Sequence, residues 1–250
     1  MTVAVLFDLE DTLVQTPWAD LKHVIEFRHR AREKLIELEI PPAVLEGIER
    51  ATIMRNKASE YVEQNFNKTD TKKFQREMEK FLSQYELDSA EKSKLFPETI
   101  PTLETLRKLG TKIGLVTNTS AKAVDTIFQI HGLRDYFDVV VTRESVSKLK
   151  PDPEGILLAI RELGARNFFM VGDLIIDILA AKNAKGTAIV VKREMEKTEQ
   201  QDLTKSLPVD LPEEIKKIQK ERANLQADYI VKSLSEIPEI VQAEMRKPQC

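Results

Sequence analysis

The chain has 250 residues, 42% of them hydrophobic, which is enough for one large domain or two smaller ones. Its net charge of −3, with acidic and basic residues both abundant, argues against a nucleic-acid-binding surface. The sequence has no apolar run of roughly 18 residues that would span a membrane and no signal-like start, and its one cysteine, Cys250, excludes an intrachain disulfide, so we expect a cytoplasmic protein.

The first predicted element is a short buried strand over Val3–Phe7, where apolar residues follow one another without a break. It runs directly into the acidic residues Asp8, Glu10 and Asp11. Carboxylates this close repel one another, and burial strengthens the repulsion. Unless the acids turn outward into water, a cation, a lysine or a reacting group must balance them. The end of this strand is therefore predicted to be a metal site or a catalytic site.

Residues 16–95 carry helical patterns and no strand signal. Three apolar faces at helical spacing, separated by Pro41 and Pro42 and by a polar break at 65–71, predict an all-helical insert with hinges at Pro17 and Pro97. A bundle that only adds stability is the alternative to a functional role for this insert. Some of its side chains are candidates for substrate contact, although core or solvated positions explain them better: Trp18, His23, Arg28 and Arg32.

Three further apolar strands are predicted at Lys112–Val116, 136–141 and 168–171, with helical patterns at 102–109 and 121–130. Strands that alternate with helices indicate right-handed crossovers and a parallel sheet, so the fold class is α/β. In such a sheet the carboxyl ends of the strands share one edge, where ligands bind.

Polar side chains follow each of these strands. The second strand ends at Thr117 and Asn118, and Lys150 follows the third. The fourth runs into Asp173 and Asp177. The parallel topology predicts that the ends of these three strands converge with the end of the first strand, which brings together Asp8, Thr117, Lys150 and Asp173.

The last predicted elements are a strand at Thr187–Val191 and another at 228–231. Between them, residues 192–226 are highly charged and include Asp210-Leu211-Pro212-Glu213, which has the form of a helix capping box with proline in the first turn. We therefore predict a surface helix before the final strand.

The four strand-end motifs together resemble those of the haloacid dehalogenase-like hydrolase superfamily, in its phosphatase branch. The resemblance covers residue 3 to about residue 190 and implies a Rossmann-like core from residues 1–15 and 96–250, with residues 16–95 as a helical cap over the active site. The motifs read Asp8-Leu9-Glu10-Asp11-Thr12, then Thr117, then Lys150-Pro151-Asp152-Pro153, then Gly172-Asp173 with Asp177.

The resemblance also implies roles for the catalytic residues. Asp8 would be the nucleophile that forms an aspartyl-phosphate, and Glu10 the general acid and base. Lys150 would balance the charge of Asp8 and hold the phosphoryl oxygens, which hydrogen bonds from Thr117 and Asn118 would also bind.

A magnesium ion is implied by the same motifs, since Mg²⁺ prefers a few carboxylates together with waters and substrate oxygens. Its ligands would be Asp8, the backbone carbonyl of Glu10, Asp173, and Asp177 either directly or through water. Taken singly, Asp173 could equally be a helix N-cap and Asp177 an acid in a first helical turn. Lys150 could equally be a surface lysine before a proline turn, and Lys148 is the alternative if the register shifts by two.

The chain departs from the family pattern at one position. The family's phosphatases carry aspartate two residues after the nucleophile, where this chain has Glu10. Glutamate keeps the acid–base chemistry but adds a methylene, and a displacement of about 1 Å can cost ~100-fold in rate. The sequence predicts a Mg²⁺-dependent phosphomonoester hydrolase acting on a small phosphorylated metabolite. A phosphomutase of the same fold and a binding or regulatory protein without catalysis are the alternatives.

Overall fold

The computed structural model describes residues 2–16, 21–48, 51–193 and 227–247. Strands and helices alternate along most of it, as the sequence predicts for an α/β fold. In chain order the elements are β1 (Val3–Phe7), β2 (Val14–Gln15), α1 (Leu21–Glu37), α2 (Ala51–Asn65), α3 (Lys68–Glu91), β3 (Lys94–Leu95), α4 (Thr99–Lys108), β4 (Lys112–Val116), α5 (Ala121–His131), β5 (Val139–Val141), α6 (Glu154–Leu163), β6 (Asn167–Gly172), α7 (Ile175–Asn183), β7 (Thr187–Val191), β8 (Tyr229–Val231) and α8 (Ile237–Arg246).

A parallel sheet of six strands forms the centre of the molecule, in the order β5-β4-β1-β6-β7-β8. Strand β1 lies in the middle, and its last residue, Phe7, pairs with Leu115 of β4 and Val171 of β6. Because the three strands run parallel in this register, their carboxyl ends meet at one edge, next to Asp8. The predicted Rossmann-like α/β fold is therefore confirmed.

Helices cover both faces of the sheet, which explains why its strands are continuous apolar runs rather than alternating ones. Successive side chains of a strand point to opposite faces, so Val5 and Leu6 belong to different layers of the core. The first layer packs against Leu106 of α4 and Ile127 of α5, and the second packs against Ile156 of α6.

The helices α1, α2 and α3, which we call the helical insert, have a hydrophobic cluster of their own, including Leu35, Met54 and Met78. Helix α3 also reaches the sheet domain, since Ala90 near its C-terminal end belongs to the core around β1. The sequence did not predict the antiparallel pair β2–β3 at the base of the insert, because two residues per strand are too few to show a pattern.

Two predicted elements are shorter than expected. The strand predicted over 136–141 is confined to Val139–Val141, because Arg134–Tyr136 forms a 3-10 turn. The apolar side chain of Phe137 does not belong to the strand but stacks on Phe128, with ring centroids 5.2 Å apart. The helical face predicted from residue 44 to 62 is also interrupted, by a 3-10 turn and by the left-handed Gly47 at φ +70°, and regular helix begins at Ala51.

Several sequence predictions concern residues outside the described ranges. These are the hinge Pro17, Trp18, the charged helix within 194–226, Cys250 and the side chain of His23. Of the remaining candidates for substrate contact, Arg28 is buried, and Arg32 donates hydrogen bonds to the carbonyl oxygens of Leu45 (2.9 Å) and Ile48 (2.5 Å). The guanidinium of Arg32 therefore has a structural role within the insert. Among the described helices, none combines the length and the apolar character that crossing a bilayer requires.

Adjacent residues of α1 offer a matched test of the insert's own core. Leu35 is fully buried, whereas Ile36 is 43% exposed. We expect Leu35→Ala to lower the free energy of unfolding by about 2–5 kcal/mol, because it leaves a cavity among packed side chains. Ile36→Ala should change it by less than about 0.5 kcal/mol. Urea unfolding followed by circular dichroism measures both, and equal losses would contradict this packing.

Candidate active site

The centre of the candidate site is the ammonium group of Lys150, which is buried at the carboxyl edge of the sheet. It donates hydrogen bonds to Asp8 Oδ1 (2.7 Å), Asp177 Oδ1 (2.6 Å) and the carbonyl oxygen of Val116 (2.9 Å). The ends of β1 and β4, the first turn of α7 and the loop after β5 thus meet at one atom. The structure brings together Asp8, Lys150 and Asp177, which are separated by up to 169 positions in the chain.

Charge balance explains the ionisation of this group of residues. Burial by itself would favour neutral Lys150, but the carboxylates of Asp177 and Asp8 outweigh it and raise the pKa of Lys150 above its ordinary value. Burial raises the pKa of Asp177 to about 6, against the opposing effect of Lys150 and with a further contribution from Asp8. The ammonium is therefore fully charged and partly offsets two enclosed acids.

Gly172, the last residue of β6, makes room for Asp177. A Cβ atom at this position would lie 2.4 Å from Asp177 Oδ2, closer than any side chain could be accommodated. The same oxygen accepts a hydrogen bond of 3.0 Å from the backbone amide of Leu174, at the start of α7. Asp177 is thus held by the helix N-terminus as well as by Lys150, and the glycine of the fourth motif has a steric reason.

A set of three acids could hold a metal ion here. Each of Asp8, Asp173 and Asp177 offers a carboxylate oxygen, and these oxygens lie within 4.8 Å of one another. Hard oxygen ligands in this number suit Mg²⁺, which keeps waters or substrate oxygens in its remaining positions. The donor set therefore fits the ion that the motifs imply. The side chain of Glu10 does not belong to this group.

Glu10 instead points toward the end of β4. Its Oε2 accepts a hydrogen bond of 2.8 Å from the hydroxyl of Thr119, which in turn accepts one of 3.1 Å from Thr117. Its other oxygen, Oε1, is buried without a hydrogen-bond partner in the described part of the chain. Burial, with a smaller contribution from nearby Glu86, raises the pKa of Glu10 to about 8. At neutral pH this carboxyl group holds a proton.

Thr117 and Asn118 are both close to the site, but their side chains are engaged with protein groups. The amide of Asn118 donates to the carbonyl oxygen of Lys150 (3.2 Å) and accepts from its backbone N–H (2.9 Å). Its geometry therefore fits holding Lys150 better than contacting a phosphoryl group. The alternative lysine, Lys148, is exposed and lies 3.7 Å from Glu60, so of these two lysines it is Lys150 that contacts Asp8.

An ion-pair network that the sequence did not reveal adjoins this site at the loop after β4. Arg143, only 2% exposed, pairs with Glu79 (2.8 Å) and with buried Glu86, both on α3. Glu86 also accepts a hydrogen bond of 3.0 Å from the backbone amide of Ser120. The network joins the helical insert to the loop after β4, next to Thr119. No sequence pattern indicated it, because an arginine after a strand usually lies in solvent.

Thr119 is a further residue that the sequence analysis did not assign to the site. It follows the second motif directly, and its hydroxyl supplies the contact that orients Glu10. The only available signal was the run Thr117-Asn118-Thr119-Ser120, in which several hydroxyls follow a buried strand.

Comparison with known proteins gives a consistent result. Residues 5–191 match the family model described as haloacid dehalogenase-like hydrolase. The chain is 31% identical over 198 residues to the putative pyrophosphatase PpaX of Clostridium perfringens, covering 77% of this chain and 85% of that protein. It is 38% identical over 102 residues to phosphoglycolate phosphatase of Vibrio cholerae, covering 40% and 45% of the two chains.

Solved structures share the fold. A putative haloacid dehalogenase-like hydrolase from Bacteroides fragilis superposes with a TM-score of 0.58 at 22% identity, covering 95% of this chain and all of that one. A phosphatase of the same superfamily from Thermococcus onnurineus, 27% identical, gives a TM-score of 0.52 and covers 96% of this chain and 98% of its own.

The balance of charge around Lys150 can be tested through stability. In Lys150→Met, two enclosed carboxylates lose their counter-charge, and we expect the free energy of unfolding at neutral pH to fall by about 3–5 kcal/mol. Lys148→Met, at a lysine whose side chain is 47% exposed, should stay within about 0.5 kcal/mol of the parent. Chemical denaturation of the metal-free proteins compares the two. A Lys150→Met protein as stable as the parent would contradict the proposed balance.

Proposed function

This chain belongs to the haloacid dehalogenase-like hydrolase superfamily, and from that premise we propose that it is a Mg²⁺-dependent phosphomonoester hydrolase that works through an aspartyl-phosphate on Asp8. The observation that carries the proposal is the buried ammonium of Lys150 between Asp8 and Asp177, with Asp173 beside them. The carboxylate of Asp8 is thereby positioned at a strand end that is also rich in metal-binding oxygens.

In the first step, a carboxylate oxygen of Asp8 attacks the phosphorus atom, and the bond from phosphorus to the leaving oxygen breaks. Glu10, which holds a proton at neutral pH, transfers it to that oxygen. The resulting carboxylate then takes a proton from water, whose oxygen attacks phosphorus and releases phosphate from Asp8. Lys150 holds Asp8 in place through a hydrogen bond of 2.7 Å, and its positive charge stabilises the phosphoryl oxygens.

The metal-binding set would be Asp8, Asp173 and the backbone carbonyl of Glu10, with Asp177 bound directly or through water. A bound Mg²⁺ neutralises charge that develops on phosphoryl oxygens. Lys150, which contacts both Asp8 and Asp177, would hold these two carboxylates in place beside the ion.

The geometry at Glu10 supports catalysis over the non-catalytic alternative. Thr119 fixes one oxygen of the carboxyl group, while the other is buried and unpaired in the described part of the chain. An enclosed polar atom without a partner is costly, and such a cost is common where a ligand or substrate completes the site. A surface glutamate in a protein that had lost activity would not need this arrangement.

The substrate class follows from the chemistry of the relatives. One is named a pyrophosphatase and another a phosphoglycolate phosphatase, and the compounds in these names are small phosphorylated anions. We infer a small phosphorylated metabolite as the substrate of this chain. We also infer that residues 16–95 act as a cap that excludes water during the reaction.

The first test of this function uses a generic aryl phosphate. We expect hydrolysis by the parent in Mg²⁺, none with excess chelator, and none in Asp8→Asn, because an amide does not form the acyl-phosphate. Asp125→Asn, at an exposed position of α5, is the matched control and should keep full activity. Turnover by purified, folded Asp8→Asn would remove Asp8 as the nucleophile, and full activity in chelator would exclude the metal.

A second test addresses Glu10. Glu10→Gln is unable to donate or accept the proton, so we expect the rate of aryl-phosphate hydrolysis to fall by at least ~100-fold. Glu10→Asp keeps the acid and should keep measurable activity, while Glu91→Gln at an exposed site should match the parent. If Glu10→Gln is as fast as the parent, the side chain takes no part in proton transfer.

A further inference from the structure

Helix α2 of the helical insert contacts the backbone directly before Lys150. The amide of Asn56 donates to the carbonyl oxygen of Leu149 (2.9 Å) and accepts from the backbone N–H of the same residue (3.1 Å). Both hydrogen-bonding groups of one peptide residue are therefore satisfied by one side chain. Because Leu149 is only 3% exposed, water cannot readily replace this contact.

The neighbouring residue is held in the same way from the opposite side. Asn118, at the end of β4, makes the equivalent pair of hydrogen bonds to the backbone of Lys150. Leu149 and Lys150 are thus clamped by two asparagines, one from the helical insert and one from the sheet. We call this arrangement the asparagine clamp.

Further contacts place α2 along the same loop. Arg55 donates to the carbonyl oxygen of Ser147 (3.3 Å), and Glu60 lies 3.7 Å from the ammonium of Lys148. The second contact is exposed, and such pairs add little. The contacts of Asn56 are the pair nearest the catalytic lysine, and they have the geometry to fix its backbone.

We propose that Asn56 is a positioning residue that couples docking of the helical insert to placement of the Lys150 ammonium. The proposal rests on the proposed function. Lys150 makes three hydrogen bonds of 2.6–2.9 Å, so a shift of its backbone would disturb all of them at once. When α2 moves away, the backbone of Leu149 loses both of its hydrogen bonds to Asn56. Asn118 alone then still holds the backbone of Lys150. Lys150 is then fully placed only while the insert is docked, which confines the chemistry to the closed arrangement.

Three variants separate this role from a general effect on α2. Asn56→Ala removes both hydrogen bonds to Leu149. Asn56→Asp keeps the shape and the acceptor but sets a carboxylate against the carbonyl oxygen of Leu149. Asn65→Ala is the matched control, since Asn65 lies on the same helix and its amide donates to the carbonyl oxygen of Tyr61 within that helix (2.8 Å).

Two measurements on the full chain are needed. The first is aryl-phosphate hydrolysis in Mg²⁺, where we expect kcat of Asn56→Ala and Asn56→Asp to fall by at least about tenfold while KM stays within about twofold, because Lys150 acts on the reacting group. The second is amide hydrogen exchange over residues 147–150, which should be faster in both Asn56 variants. Asn65→Ala should match the parent in both measurements.

The outcomes distinguish the clamp from the function on which it rests. Faster exchange with unchanged kcat, or lower kcat with unchanged exchange, would overturn the positioning role. A parent without any hydrolysis would overturn the proposed function. Exchange would then decide on the clamp alone: faster exchange in Asn56→Ala but not in Asn65→Ala supports it, and equal exchange refutes it.

Discussion

The arrangement of this edge of the sheet depends on one buried ammonium group. Parallel register brings Asp8 and Asp177 together, and two like charges about 4 Å apart repel by roughly 4 kcal/mol at a protein-like effective dielectric constant of about 20. Lys150 turns that repulsion into a pair of short hydrogen bonds. Burial of the Lys150 ammonium is unfavourable unless its position is accurately fixed, because a buried charge is stabilised only by well-placed partners. This explains why the backbone around it is so fully bonded.

Features that depend on local pattern and on the rules of parallel sheets could be predicted from the sequence. The strands β1, β4 and β7 lie where the apolar runs predicted them, and the proximity of Asp8 to Lys150 and to Asp173 follows from strands sharing one edge. The start of β5 could not be predicted, since the run before it is apolar for packing on Phe128 rather than for pairing in a sheet.

Contacts between elements far apart in the chain left no trace in the sequence. Arg143 and Glu86 meet only because α3 extends from the insert into the core, and helix periodicity alone does not show which residue faces which partner. The same holds for Asn56 and Leu149. Thr119 was missed for the same reason, since its hydroxyl meets the carboxyl group of Glu10 across 109 positions of the chain.

The helical insert is attached to the site through two contacts of different character. Helix α3 is joined by charged groups, with Arg143 bound to both Glu79 and Glu86, and separating Arg143 from Glu86 would leave both of these charges buried without a partner. Helix α2 is joined to the loop before Lys150 mainly by the neutral amide of Asn56. Neutral hydrogen bonds exchange with water at much lower cost than buried ion pairs. The insert therefore adjoins the candidate site through a contact at α3 that is costly to break and a contact at α2 that water replaces more readily, so the contact beside Lys150 is the more easily released of the two.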